Sequence, residues 1–152
     1  MKHFICHSLG GLALLNMPAA FLTDKNIVIL SVPVNFFESI YQKMNDYGIS
    51  PKVMRITLDE ISQDYGLNWQ DIAFEKQELK IGGHFTFIHD VDDPFASFGD
   101  IENCCKKHQC QLIATARLGH NGTVKDAKVI RQIMTLNSTN YANEELHAGD
   151  ST

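Results

Sequence analysis

The chain has no run of basic residues, no internal repeat, no low-complexity tract and no glycine-rich loop of the kind that cradles phosphate. With a net charge of −5, its charge pattern gives no reason to expect nucleic acid or an anionic membrane surface as a partner. Nor does it contain the uninterrupted apolar run of about 18 residues that a membrane span requires. Cysteine is sparse and irregular. Cys6, Cys104, Cys105 and Cys110 form no disulfide framework, so free thiols in a reducing, cytoplasmic compartment are expected. The segment Cys104-Cys105-Lys106-Lys107-His108-Gln109-Cys110 carries thiols and an imidazole. Adjacent cysteines on a helix point about 100° apart, however, and no second ligand pair is spaced to complete a tetrahedral site. Neither a metal nor a cofactor is expected.

What is present suits one globular domain. A length of 152 residues and a hydrophobic fraction of 44% are enough to bury a core. The start of the chain has the outline of a secretory signal, with Met1-Lys2-His3 ahead of an apolar stretch that reaches Ala19-Ala20. His7, Ser8 and Asn16 interrupt that stretch, and Gly10-Gly11 weakens a helix there, so the segment is read as part of the folded domain.

The apolar pattern switches between two periods. Phe4-Ile5-Cys6 predicts a short strand. Leu9 to Phe21 has helical spacing, which Pro18 kinks or ends early. Asn26 to Ser31 is a continuous aliphatic run, suited to a strand buried on both faces. A mostly helical insert is predicted over residues 35–80. Phe36, Phe37, Ile40, Tyr41 and Met44 lie on one helix stopped at Gly48, and Ser50-Pro51 opens a second that ends at Gly66. Asn68-Trp69-Gln70-Asp71 starts a further short turn. Phe36, Phe37, Tyr41 and Trp69 are read as packing within the insert rather than as a substrate box. His84 to His89 is the next strand, and His3, His84 and His89 are read simply as strand residues. Ser97 and Asp100 mark the start of a helix to about His108. Gln111 to Thr115 is the last strand, and Val124 to Met134 the last helix. Residues 137–152 are polar and aperiodic, and are read as a disordered tail. Strands alternating with helices imply an α/β domain over residues 1–136, with a parallel sheet of about four strands and flanking helices.

The informative segment is Phe4-Ile5-Cys6-His7-Ser8-Leu9-Gly10-Gly11-Leu12-Ala13. An apolar strand runs into a serine, and two glycines and an apolar helix follow at once. A turn that sharp leaves the serine side chain exposed at the carboxyl end of its strand. Taken alone, Ser8 would be an ordinary helix N-cap, and Asp92-Asp93-Pro94 an ordinary turn. But Ser8, Asp93 and His120 each follow a predicted strand, which puts all three at one edge of a parallel sheet. A serine hydroxyl becomes a nucleophile when a base takes its proton and an acid orients that base. His120 is the candidate base, Asp93 the candidate orienting acid, and the Leu9 N–H a candidate oxyanion donor.

On these segments the chain resembles the carboxyl-terminal half of an α/β-hydrolase. His7-Ser8-Leu9-Gly10-Gly11 is similar to that family's Gly-His-Ser-x-Gly-Gly elbow, with Cys6 where the family has Gly. Phe87 to Pro94 resembles the segment ending in the acid, Asp93 matching it better than Asp92, and Leu118-Gly119-His120 resembles the loop that carries the histidine. Ser31-Val32-Pro33 resembles the strand end after which a helical cap is inserted, making residues 35–80 that cap. The resemblance implies a Ser-His-Asp hydrolase acting on a small-molecule ester or related acyl substrate. It also implies that the family's first strands, with the loop giving a second oxyanion donor, have no counterpart here. Two further expectations follow from that: self-association through the Phe4–Cys6 strand edge, and, as the rival function, an inactive remnant or interaction partner.

Overall fold

The computed structural model describes residues 2–66 and 84–136. The turn expected at Asn68–Asp71, Trp69, the end of the insert and the tail 137–152 lie outside the described residues.

Four strands form one sheet: β1 (Lys2–His7), β2 (Lys25–Leu30), β3 (His84–Asp90) and β4 (Gln111–Thr115). Their spatial order follows their sequence order, and every pairing is parallel. The fold is α/β, as the alternation of strand and helix patterns implies. The central strands are buried as their composition requires. Asn26 to Leu30 of β2 are all buried, as are Phe85 and Phe87 to Asp90 of β3. The edge is different: Ile5 of β1 is 55% exposed, and among the described residues β1 pairs with β2 alone.

Period-2 alternation divides the sheet into two faces. On one face Ile27, Ile29, Phe85 and Phe87 pack against α1 (Leu9–Leu15), α2 (Ala19–Leu22) and α5 (Phe98–His108), through Leu12, Leu15, Leu22, Ile101 and Cys105. On the other, Val28, Leu30 and Ile88 meet Val129 and Ile133 of α7, residues 127–136. Burying each such aliphatic or aromatic side chain contributes roughly 1.5–3 kcal/mol. Burial pushes the Cys105 thiol up to about 12, so it is an inert core group, and all four cysteines are free. Between β2 and β3 lie α3 (Phe36–Asp46) and α4 (Pro51–Tyr65). Ser50 caps α4 by accepting from the Val53 N–H, and Gly66 ends it at φ 61°. No described helix is long and apolar enough to cross a membrane.

Of the two outcomes expected at Pro18, the early end is the one found, and the proline stands between α1 and α2. One boundary differs from the sequence reading. The last helix begins at residue 127, because Asp126 accepts from the Lys128 and Val129 N–H groups and so acts as its N-cap. His120 therefore sits in a short helical turn of its own, α6 (Gly119–Gly122).

The elbow glycines test the packing of α1 on the sheet. A Cβ on Gly11 would collide with Cγ2 of Ile29 and press on Val32 at 3.4 Å, whereas one on Gly10 would meet nothing within 4 Å. Gly11→Ala should destabilise the fold by about 1–3 kcal/mol through overpacking. Gly10→Ala should stabilise it by up to about 1 kcal/mol through helix propensity. Urea-unfolding midpoints of the two variants check the opposite signs.

Candidate functional site

The carboxyl ends of β1, β3 and β4 lead directly into the three residues singled out above. β1 ends at His7, and Ser8 turns the chain at φ 53° and ψ −128°, an uncommon conformation for a residue with a side chain. Backbone bonds hold the turn in place. The Ser8 N–H donates to the Leu30 carbonyl at 2.9 Å, and the Ser8 carbonyl accepts from Gly11 at 2.9 Å and Leu12 at 3.2 Å. The Ser8 side chain makes no capping bond to α1. Its hydroxyl instead lies 2.8 Å from Nε2 of His120.

The other nitrogen of that ring, Nδ1, lies 2.8 Å from Oδ2 and 3.1 Å from Oδ1 of Asp93. A carboxylate only accepts, so Nδ1 carries the proton; Nε2 is then the acceptor, and the Ser8 hydroxyl donates to it. The Asp93 side chain is fully shielded and that of His120 is 12% exposed. Asp93 Oδ1 also accepts from the N–H groups of Phe95 at 2.8 Å and Ala96 at 3.0 Å. The Asx turn expected of Asp93 on its own is thus present as well, and it aims the carboxylate. Asp92 is not part of the array: its Oδ2 accepts from the Arg117 N–H at 2.9 Å.

Several supporting residues were not singled out in the sequence. The His7 Nε2–H donates to the His120 carbonyl at 3.0 Å. Thr123 Oγ1 donates to the same carbonyl at 3.2 Å, which leaves it to accept from Ser31 Oγ at 3.0 Å. Ser31 and Thr123 are both fully buried. His89, read simply as a strand residue, lies beneath Asp93. Its Nε2–H donates to the Ala96 carbonyl at 2.9 Å and stands 3.7 Å from Asp93 Oδ2. Burial lowers the His89 pKa, prevailing over the Ala96 hydrogen bond and the Asp93 charge, and holds the ring neutral. These residues carry no local signal, because their partners lie far away in sequence. One hint was available: His7 adjoins Ser8 in the sequence.

Asp90 joins the two turns. Its Oδ1 accepts from the Asp92 N–H at 3.0 Å, and its Oδ2 from Thr115 Oγ1 at 2.8 Å and the Leu118 N–H at 3.1 Å. Burial alone would raise this carboxyl. The hydrogen bonds from Thr115, Leu118, Gly119 and Asp92 together outweigh burial and hold it below its ordinary value.

A cavity of about 500 Å³ opens beside Ser8 and His120. Its walls include Leu9, Pro33, Phe36, Met44 and Phe95. Phe36 therefore lines the cavity as well as packing against the core, which corrects its reading as packing alone. Phe95 lies against the His120 ring, with centroids 5.4 Å apart. No group of three or more His, Cys, Asp or Glu among the described residues is arranged to hold a metal. No protein-family model, no curated protein and no solved structure matches the chain.

Because the folded state depresses the Asp90 carboxyl, the stability it contributes is fully present above its unfolded pKa of about 3.9 and is lost as pH falls through the folded value. Asp90→Asn should therefore destabilise the protein by roughly 1–3 kcal/mol near neutrality. Its deficit against the parent should shrink at more acidic pH. Urea midpoints measured across pH 2–7 check both the sign and the window.

Proposed function

We propose that the protein is a serine hydrolase of the α/β-hydrolase type, acting on an ester or related acyl compound. The observation that carries this reading is the Ser8 hydroxyl held 2.8 Å from Nε2 of a His120 ring whose Nδ1 is held 2.8 Å from Asp93. The strained turn at Ser8 and the adjoining apolar cavity add support, since backbone strain concentrates where geometry is put to use.

In this mechanism His120 Nε2 takes the Ser8 proton as Oγ attacks the acyl carbon. Asp93 keeps the imidazole in the required tautomer and stabilises the imidazolium. The Leu9 N–H has no acceptor in the first turn of α1 and is available to the developing oxyanion. His120 then returns the proton to the leaving alcohol. Water, activated by the same ring, hydrolyses the acyl-serine and restores the hydroxyl.

A fluorophosphonate probe should label Ser8, and Ser8→Ala should abolish the labelling. Asp93→Asn should lower ester turnover by on the order of 10⁴ through the wrong tautomer. Labelling elsewhere, or labelling that survives Ser8→Ala, overturns the reading. Labelling of Ser8 without turnover of any ester favours the alternative, an inactive partner protein that keeps the array.

The four free cysteines support a cytoplasmic location. The one-sided pairing of β1 and the exposure of Ile5 support self-association through the Phe4–Cys6 edge. Sedimentation velocity over a dilution series should reveal a concentration-dependent dimer. Charge on that edge, in Ile5→Lys, should shift the equilibrium to monomer.

A further inference from the structure

The cavity beside Ser8 is apolar along most of its wall, through Leu9, Phe36, Ile40, Met44 and Phe95, yet α3 also brings Lys43 to it. Lys43 is half-buried, and its ammonium lies 4.2 Å from the centroid of the Phe95 ring. The same ring lies 5.4 Å from the His120 ring. A single aromatic side chain thus separates the cation from the candidate base and fixes where the cation stands. Lys43 has no carboxylate within 4.0 Å among the described residues. Asp46, one turn further along α3, lines a neighbouring cavity together with Lys43 without pairing with it. The other acid on that cavity, Asp93, is already engaged with His120 and two backbone N–H groups.

A partly desolvated ammonium is unfavourable without a counter-charge. Cation–π contact with Phe95 offsets some of that and places the ammonium over the ring face. The result is one lysine charge on the mostly apolar wall of a pocket that Ser8, His120 and Asn121 also line. Apolar walls with a few placed polar groups are how small-molecule sites combine affinity with orientation.

We infer that Lys43 is a specificity-determining residue, and that the substrate class is acyl compounds bearing an anionic group, separated from the reacting carbonyl by a short aliphatic spacer. The apolar wall takes the spacer and Lys43 takes the anion. This rests on the hydrolase reading of Ser8. An ammonium acts as a point charge and does not by itself tell carboxylate from phosphate, so the shared chemistry is a terminal anion.

The test compares three p-nitrophenyl esters of one chain length: hexanoate, the hexanedioate monoester with its free carboxylate, and a phosphonate-terminated analogue. Each is assayed with the parent, Lys43→Met and Lys43→Arg. The parent should favour the anionic esters in kcat/KM by ~10-fold, the worth of one charge-assisted hydrogen bond. Lys43→Met should bring the ratio of anionic to neutral ester to about 1, and Lys43→Arg should retain the preference, as expected for the loss and the retention of one charge. The phosphonate arm tells which anion is preferred. A parallel arm measures, by calorimetry, binding of monomethyl hexanedioate and methyl hexanoate to Ser8→Ala, with and without Lys43→Met. Turnover of all three esters with a ratio near 1 in the parent, or a preference that survives Lys43→Met, overturns the inference and leaves the hydrolase reading standing. Lys43-dependent binding of the anionic ester to Ser8→Ala, with no turnover by the parent, keeps the anion site and removes the hydrolase reading. Absence of both binding and turnover overturns the inference.

Discussion

The buried carboxylate of Asp90 is the clasp on which the site depends. It stands at the end of β3 and accepts hydrogen bonds from β4 through Thr115, from the turn after β4 through Leu118, and from the turn after β3 through Asp92. The turn that carries Asp93 and the turn that carries His120 are thereby tied to one side chain. Were either turn free to move by an ångström, the two 2.8 Å contacts of His120 would lengthen past useful hydrogen bonding. A fully buried charge is tolerated here because both of its oxygens accept hydrogen bonds.

Around that clasp, the functional groups are held by backbone geometry more than by side-chain packing. Ser8 points away from α1 because its φ is positive and its carbonyl, not its hydroxyl, receives the first N–H groups of the helix. The His120 carbonyl is pinned twice, by His7 and by Thr123, which sets the turn without engaging the ring. The ring keeps both nitrogens for Ser8 and Asp93. His89, 3.7 Å from Asp93 Oδ2, is kept neutral by burial, so the Asp93 charge faces the His120 ring, two backbone N–H groups and a neutral second imidazole rather than a competing cation.

The helices between β2 and β3 give the site its surroundings. α3 supplies both apolar wall and cation, and Phe95 links Lys43 to His120 by ring contacts. On the hydrolase reading proposed above, chemistry and selectivity come from different layers: the sheet edge positions Ser8, Asp93 and His120, and the inserted helix lines the cavity beside them. This division is common where loops at the carboxyl ends of parallel strands carry function.

The sequence by itself determined the alternation of strand and helix, the parallel sheet, and the gathering of Ser8, Asp93 and His120 at one edge. These follow from local period and composition: a continuous aliphatic run such as Ile27 to Leu30 suits only a doubly covered strand, and a parallel sheet puts every strand end on the same side. The caps at Ser50 and Ser97 and the stop at Gly66 were legible for the same local reason. Only tertiary structure decided the rest. Ser8 has the chemistry of an N-cap, and only the arrival of His120 from 112 residues away gives its hydroxyl a different partner. Asp90, His89, Ser31 and Thr123 read as ordinary strand and turn residues until burial removes water and favours partners within the fold: the Asp90 carboxylate, the Ser31 and Thr123 hydroxyls and Nε2 of His89 each find one. Phe36 and Lys43 show helical spacing and nothing more. The tertiary placement of α3 beside Ser8 and His120, which no local pattern encodes, makes one a wall of the cavity and the other its charge.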